Sequence, residues 1–195
     1  MAQYPLPVPD EHAQLVQELK AEKPGAFEKL FHTFWRPVMA LALSHIADTA
    51  EAEDCAIETF EDLARGIKNF RGEAKLSTYV YRVALNRIRK HHRARQRALP
   101  TLPLETCPEH KLATPPLETR FAIDEELKHL YHDLNQLPRS QREAITLRHI
   151  LGLKLPEVAR ALGIPENAAA MRLNRGIKKL QKMRQRRIRR EKYGR

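Results

Sequence analysis

Nine histidines and two cysteines are the side chains of this sequence that could ligate a metal or take part in catalysis. The closest histidines are the neighbours His91 and His92 and the i, i+3 pair His129 and His132. Neither pair has a carboxylate or cysteine at a spacing that recurs in zinc sites. No glycine-rich phosphate loop or nucleophile elbow is present, and the two cysteines form no CxxC pair. We therefore expect no metal, no cofactor and no enzyme activity.

Clustered charge offers a different chemistry. Residues 65–97 carry eleven Lys or Arg against one acid, and the chain from Arg172 onward carries twelve against Glu191 alone. These basic blocks alternate with acidic ones, residues 1–64 at −8 and residues 98–136 at −4, in a chain of net charge +11. Such blocks favour a nucleic acid as partner, with a membrane surface as the main rival. No segment is apolar enough to span a bilayer and the start lacks a signal peptide, so we expect a cytoplasmic protein.

The C-terminal cations follow a helix-turn-helix pattern. Ser140 and Glu143 fit a capping box that begins a helix ending at Gly152, and Pro156 suits the first turn of the next helix. After the Gly163-Ile164-Pro165 turn, a third helix from about Glu166 places apolar residues inward at spacings of three and four. Its other side is left for a groove: Asn167, Ala170, Met171, Asn174, Arg175 and Lys178. A recognition helix is favoured over a three-helix interaction bundle by the charge.

The N-terminal half also follows a helical pattern. Asp10 can cap a first helix, and an almost wholly aromatic and leucine face then runs from Phe27 to Trp35. A helix after Asp48 buries Ala52, Cys55, Ala56, Phe60, Leu63 and Ile67. A longer helix buries Leu76, Tyr79, Val80, Val83, Ala84 and Ile88. Its opposite face carries the stripe Arg82, Asn86, Arg89, Lys90, Arg93 and Arg97, which indicates phosphate tracking.

Two further segments complete the organisation. Six acids and no base occur between Glu51 and Asp62, a pattern that is usually a solvated helix face. Five prolines between residues 98 and 119 forbid a helix there and indicate an extended linker. A last helix, with Leu127, Leu130, Tyr131 and Leu134 on one face, then opens the C-terminal part. We predict an all-α fold of two small helical domains, at 10–97 and 121–187, a flexible linker at 98–120 and a basic tail at 188–195.

Several of these stretches resemble bacterial extracytoplasmic-function (ECF) sigma factors of RNA polymerase. Leu137-Pro138, the run from Glu157 to Pro165, and Arg172-Leu173-x-Arg175 are similar to that family's region 4, which binds minus-35 promoter DNA. Tyr79-Val80-Tyr81-Arg82-Val83-Ala84 resembles the DNA-melting helix of region 2, and Ala52-Glu53-Asp54 with Glu58-Thr59-Phe60 resembles the motif that docks on core polymerase. The resemblance implies a sigma factor that directs core RNA polymerase to promoters, with an anti-sigma factor as a further partner.

The resemblance assigns three sets of site residues. Contacts with core polymerase would come from Glu53, Asp54, Glu58, Glu61 and Asp62. Contacts with minus-10 DNA would come from Asn69, Phe70, Arg71, Tyr79, Arg82, Asn86, Arg89, Lys90 and Arg93, with Phe70 and Arg71 either stacking on an unstacked base or, for Phe70, filling the core. Contacts with minus-35 DNA would come from Asn167, Ala170, Met171, Arg172, Asn174, Arg175 and Lys178.

Departures from the family pattern leave two other functions open. Ile57 stands where glutamine is usual, Lys90 where an aspartate is usual, and Ala168 to Ala170 where a threonine, a valine and a lysine are common. A sigma mimic that titrates an anti-sigma factor would fit these changes. A two-domain helix-turn-helix repressor that acts without polymerase would fit a linker that is only a tether.

Overall fold

The computed structural model describes residues 10–97 and 125–193, with side chains placed at 10–97 and 129–189, and no β-strand occurs in these two ranges. The expected all-α class is confirmed. Two short irregular turns interrupt the series, a 3-10 turn at Ile67–Asn69 and a π-helical segment at Thr146–Ile150. The helices are α1 (Ala13–Lys20), α2 (Ala26–Leu43), α3 (Thr49–Gly66), α4 (Leu76–Arg97), α5 (Glu125–Asn135), α6 (Arg139–Ile145), α7 (Leu155–Leu162) and α8 (Glu166–Tyr193).

The first group of helices packs around the aromatic face of α2. Gly25 precedes α2 with φ +79°, a left-handed conformation that glycine adopts without strain. Trp35 is 2% exposed, and the ring of Phe31 stacks on it at 4.9 Å while also packing against Phe60 of α3 at 4.8 Å. Pro37 lies inside α2 without ending it. As the apolar spacing predicts, α3 and α4 cover this face with fully buried residues such as Leu63 and Ile88.

Two aspartates accept hydrogen bonds from backbone N–H groups at helix starts. Asp48 caps α3 by accepting a hydrogen bond from the backbone N–H of Glu51 at 2.9 Å. The expectation that Asp10 caps α1 is wrong, because α1 has no side-chain cap. The Asp10 carboxylate accepts from the N–H of His12 at 3.0 Å and from the N–H of Leu76 at 2.5 Å. It therefore satisfies the first turn of α4, a contact between residues far apart in sequence.

The second group forms the expected helix-turn-helix. Gly152 and Gly163 end their helices at φ +71° and +68°, Pro156 lies in the first turn of α7, and α8 begins at Glu166. In α5, Tyr131 and Leu134 are buried, but the prediction for Leu130 is wrong, since it is 40% exposed. The side chain of Leu127 lies outside the described residues.

The predicted capping box of α6 is absent. The helix begins at Arg139, directly after the extended backbone of Pro138, and it has no side-chain cap. Ser140 is thus already inside the first turn. Glu143 is instead 3% exposed and binds arginines, Arg139 of its own helix and Arg89 of α4. The Glu143 carboxylate binds two guanidinium groups, which are stronger hydrogen-bond partners than a backbone N–H.

The two groups of helices lie against each other. Helix α4 packs on α7, and the C-terminal end of α2 packs on the π-helical segment, so that the buried residues form one continuous cluster. The sequence indicates two separate domains but gives no sign of this contact. The predicted linker, residues 98–120, lies outside the described residues. Within the described residues, no helix is both long enough and apolar enough to cross a bilayer.

Candidate nucleic-acid interface

A pocket of about 540 Å³ opens where the loop after α3 meets the start of α4. Its wall combines aromatic rings, guanidinium groups and amide or hydroxyl groups, which are the groups that hold an unstacked base. Arg160 reaches this pocket from α7, in the second group of helices. The lining residues are Asn69, Phe70, Arg71, Glu73, Ala74, Thr78, Tyr79, Arg82 and Arg160.

Phe70 and Tyr79 form the aromatic wall of this pocket. Phe70 is 7% exposed, and its ring centroid lies 4.9 Å from that of Tyr79 with the planes inclined at 43°. The ring of Phe70 is therefore packed into the core, as one of the two sequence interpretations expects, and the residue also lines the pocket. A Cβ on Gly66 would lie 2.8 Å from the Tyr79 hydroxyl, so this glycine leaves room for the tyrosine. Partial burial raises the pKa of Tyr79 above its ordinary value.

The stripe on α4 is partly exposed and partly occupied. Arg82, Asn86, Lys90 and Arg93 are exposed, as expected. Arg89 is not free, because its Nη2 and Nε donate to the two carboxylate oxygens of Glu143 at 2.9 and 3.1 Å. A bidentate pair of this kind is among the stronger charge-assisted hydrogen bonds.

A second ion pair holds the loop before α4. Lys75 Nζ lies 2.8 Å from Glu157 Oε1, while Glu157 Oε2 accepts from the backbone N–H of Lys154 at the start of α7 at 2.7 Å. One carboxylate therefore both caps α7 and binds the loop that lines the pocket. In this arrangement Lys75 and Arg89 face carboxylates of the second group rather than solvent.

The ionisation of these groups follows from their pairing. Burial would raise the pKa of Glu143, but hydrogen bonds from Arg89 and Arg139 hold it below its ordinary value. The hydrogen bond to Glu143 in turn raises the pKa of Arg89. Burial would likewise raise the pKa of Glu157, but the hydrogen bond from Lys75 holds it below its ordinary value. Both carboxylates are thus charged at neutral pH and hold the two groups of helices together.

The acidic face of α3 is neutralised along much of its length. Arg87 of α4 binds Asp62 and Glu58, and Arg65 binds Asp62 and Glu61. Arg95 pairs with Glu51 at 2.6 Å. Among the described residues, Glu53 and Asp54 form no ion pair, and Asp54 is exposed. The sequence predicts an unopposed acidic face, but among the described residues the structure leaves only Glu53 and Asp54 of this face without an ion pair.

A polar cluster lies at the C-terminal end of α2, and the sequence pattern does not indicate it. Arg142 donates to the backbone oxygens of His45, Asn135 and Leu137 and to the side chain of Asn135 at 2.7 to 3.3 Å. The hydroxyl of Thr146 donates to that of Ser44 at 3.2 Å. These contacts tie α2 to α5 and α6. Two of these contacts join residues about one hundred positions apart, and the others cross the turn between α5 and α6. Local sequence patterns therefore do not indicate them.

His45 lies at the centre of this cluster. It is 2% exposed, and its Nδ1 lies 3.0 Å from the carbonyl oxygen of Leu41 and 2.8 Å from the hydroxyl oxygen of Ser44. Its Nε2 is buried without a partner. Burial lowers the pKa of His45 to about 3, with the positive charge of Arg142 adding to the effect. The ring is therefore neutral at all ordinary pH values.

The recognition face of α8 is presented as the spacing predicts. Asn167, Met171, Asn174, Arg175 and Lys178 are exposed, and Ala170 and Arg172 are half-buried, while Ala169 and Leu173 face the core. Gly176 allows the close crossing of α8 over α6, since a Cβ there would lie 2.5 Å from the end of the Ile145 side chain.

The residues capable of metal or redox chemistry are not assembled into a site. Within the described residues no group of three or more His, Cys, Asp or Glu could hold a metal ion. His91 lies beside Glu51, and burial lowers the pKa of His92. Burial raises the thiol pKa of Cys55 to about 12, which makes it a poor nucleophile.

Comparison with known families matches both halves of this arrangement. Residues 30–98 match the family model for Sigma-70 region 2, and residues 130–180 match that for Sigma-70, region 4. Together these segments make up more than half of the chain. The stripe and every lining residue of the pocket except Arg160 fall in the region 2 segment, and the helix-turn-helix falls in the region 4 segment. The chain is a sigma factor of the ECF type.

Relatives of this sigma factor are similar along most of their length. The RNA polymerase sigma-H factor of Pseudomonas aeruginosa is 27% identical over 180 residues, which cover 89% of this chain and 93% of that protein. The ECF RNA polymerase sigma factor SigM of Mycobacterium tuberculosis is 28% identical, with 81% and 76% covered. The ECF RNA polymerase sigma-E factor of Escherichia coli is 25% identical, with 83% and 87% covered.

Solved structures share the fold of this sigma factor. CnrH in complex with the cytosolic domain of CnrY gives a TM-score of 0.66 at 21% identity, covering 87% of this chain and 94% of that one. The sigma factor RpoE in complex with the anti-sigma factor NepR from Bartonella quintana gives 0.65 at 21% identity, covering 83% and 98%.

Proposed function

We propose that this sigma factor uses the pocket and the α4 stripe to capture minus-10 DNA, the face of α8 to bind minus-35 duplex, and α3 to dock on core RNA polymerase. The observation that carries the proposal is the pocket beside the stripe. It offers an aromatic pair and guanidinium groups to an unstacked base, directly next to exposed cations that can follow the phosphates. The chain recognises and positions DNA, and no catalytic step is assigned to it.

Each of the two groups of helices would form one domain of the sigma factor. Residues 10–97 would form the region 2-like domain and residues 121–187 the region 4-like domain, with 98–120 as the connection and 188–195 as a basic tail. All of the proposed partners act where transcription takes place, which supports a cytoplasmic location.

For polymerase docking, Glu53 and Asp54 are the strongest candidates. They form no ion pair with the rest of the described chain, so a basic surface can approach them without breaking an existing contact. Glu58, Glu61 and Asp62 already bind arginines, which reduces what a further cation can gain. The proposed docking surface is therefore centred on the N-terminal half of α3.

For minus-35 DNA, the proposal assigns most of the affinity to phosphates. Ala168, Ala169 and Ala170 cannot donate to a base edge or neutralise a phosphate, and Ala169 faces the core. Asn167, Arg172, Asn174 and Arg175 remain as polar readers, with Met171 as an apolar contact. A bidentate base contact discriminates by about 1–3 kcal/mol. We expect substitutions in the minus-35 element to reduce transcription less than those in the minus-10 element.

The contact between the two groups of helices bears on this function. Arg89 and Lys75 cannot bind phosphates while they bind Glu143 and Glu157, and Arg160 occupies one side of the pocket. We propose that the two groups separate when the sigma factor binds polymerase and promoter. The relatedness to sigma factors solved in complex with anti-sigma factors supports an anti-sigma factor as the partner that keeps this chain from the polymerase.

Run-off transcription with purified core polymerase tests the proposal. Transcripts that depend on the added protein and on a promoter are the expected result. DNA binding by the free protein without any transcription would favour a repressor. Binding of an anti-sigma factor with neither transcription nor DNA binding would favour a sigma mimic.

A further inference from the structure

Helix α8 extends well beyond the part of the chain that matches region 4. The match ends at residue 180, whereas α8 continues without a break to Tyr193. The extension is held in place on one side. Met183 packs against the core, and Arg187 Nη2 lies 3.1 Å from Asp133 Oδ2 of α5. It is therefore a fixed part of the second group of helices rather than a frayed end.

Cations follow one side of this helix. With 3.6 residues per turn, spacings of three, four, seven, eleven and fourteen return to the same face, which is the face that presents Met171 and Arg175. The six cations at these spacings are all exposed, and among the described residues none of them forms an ion pair. They are Arg175, Lys178, Lys179, Lys182, Arg186 and Arg189. The stripe runs for about 21 Å along the helix.

The extension has few exposed apolar residues, which argues against a membrane-binding role. Interfacial helices carry a broad face of exposed apolar residues. Between residues 181 and 189 only Met183 and Ile188 are apolar, and Met183 is already packed against the core. A straight polyelectrolyte such as duplex DNA, with one charge for about every 1.7 Å of its axis, matches a straight row of cations instead.

We propose that the extension of α8 is a second, sequence-independent DNA contact, which binds the phosphates of the duplex next to the minus-35 element. The inference rests on the proposed function, because it takes the face of α8 as the side that meets DNA. Lys182, Arg186 and Arg189 lie on that face beyond the recognition residues. They lengthen the footprint without adding any base readout.

Matched single substitutions test this contact in the complete complex of sigma factor, core polymerase and promoter duplex. Arg186→Gln removes a cation from the stripe. Arg184→Gln removes the same charge from the opposite side of the same helix turn, where it is exposed and has no ion pair among the described residues. Arg186→Gln should lower the log-log salt slope of promoter binding by about 1, and the triple variant Lys182→Gln, Arg186→Gln, Arg189→Gln by about 3. Arg184→Gln should leave the slope unchanged.

Two further measurements separate the possible outcomes. Replacing the sequence that flanks the minus-35 element, at constant length, should not change the difference between Arg186→Gln and Arg184→Gln. Equal slopes for these two variants, or loss of binding to anionic lipid vesicles with no change in the promoter slope, would overturn the inference. If the wild type gives no promoter-dependent transcript, the proposed function fails. If it does and the two variants are equal, only the inference about the extension fails.

Discussion

At the scale of single residues, His45 is a titratable side chain whose pKa is strongly lowered by burial. It is buried with a neutral ring, and Arg142, Glu143 and His92 are the charged or titratable groups that face it. Its pKa is about 3 in the folded protein against an ordinary value of 6.5. Between these two values the unfolded chain binds a proton at this position and the folded chain does not. Stability therefore falls as the pH is lowered through that window.

The prediction concerns the slope of stability against pH. A single group in this situation lowers the free energy of unfolding by up to about 1.4 kcal/mol for each pH unit. His45→Asn keeps a polar group near the position of Nδ1 but does not titrate, so its free energy of unfolding should fall less steeply between pH 7 and pH 5. Urea unfolding of both proteins at several pH values measures the two slopes. Parallel slopes would show that His45 accepts a proton without cost.

Asp54 is the residue on which polymerase docking depends most directly. It is exposed and forms no ion pair among the described residues, so Asp54→Arg should not disturb the fold. Like charges across an interface cost several kcal/mol, and about 1.4 kcal/mol is already tenfold in affinity. We expect binding to core polymerase to weaken at least about tenfold. Glu28→Arg, a reversal of an exposed acid on α2, is the matched control, and equal affinities for the two variants would remove Asp54 from the docking surface.

At the scale of helices, the crossing of α6 and α8 depends on the lack of a side chain at Gly176. A Cβ there would lie 2.5 Å from Ile145 Cδ1 and 3.2 Å from Gln141 Cβ. Alanine gains about 1 kcal/mol over glycine in helix propensity, whereas overpacking costs about 1–3 kcal/mol. We expect Gly176→Ala to be destabilising in a thermal unfolding measurement. Ile145→Val removes the nearest methyl group and should cost less in the Gly176→Ala background than in the wild type; independent effects would contradict the close crossing.

Helix boundaries that depend on local chemistry were predictable from the sequence. Gly152, Pro156 and Gly163 act where their backbone preferences place them. The failures at Asp10 and Glu143 share one physical cause. Each carboxylate has local partners available, but a donor from a distant helix binds it as well, and that donor cannot be read from spacing along the chain.

For the candidate site too, the sequence predicts the exposed faces of single helices but not the contacts between distant helices. The exposed stripe on α4 and the face of α8 follow from helical periodicity. The pocket also brings together residues that the loop sequence indicates, except for Arg160, which arrives from another helix. The pairing of Arg87 with Asp62 and Glu58 was missed, because an acidic helix and a basic helix give no indication of which charges will meet.

At the scale of the whole molecule, an ion pair between Arg89 of α4 and Glu143 of α6 joins the two groups of helices. Glu143 is almost fully buried and lies beside Arg89 and Arg139, with Arg142 next to it in sequence. Removing one partner of a buried pair is far more costly than the pair itself is worth, since the other charge is left without compensation. The single carboxylate of Glu143 is therefore the point where the arrangement is most sensitive.

Glu143→Gln should move the equilibrium toward separated groups of helices. The variant leaves Arg89 and Arg139 without their shared carboxylate, and breaking such a pair costs about 3–5 kcal/mol. Small-angle scattering should give a larger radius of gyration for this variant than for wild type. The free variant should also bind minus-10 single strands more tightly, because Arg89 becomes available. Glu28→Gln, on an exposed face of α2, is the control and should change neither quantity.

The pH dependence of the same contact has a definite sign. Because the pKa of Glu143 is lowered in the closed arrangement, its contribution is fully present above the ordinary range of a glutamate, near 4.5, and is lost as the pH falls through the lowered pKa. Wild type should therefore expand when the pH falls below about 4.5, before circular dichroism shows loss of helix. Glu143→Gln should already be expanded at neutral pH. Arg89→Gln removes the other partner and should expand the molecule too. If neither variant changes the radius of gyration, apolar packing between α4 and α7 holds the groups together and the ion pair is incidental.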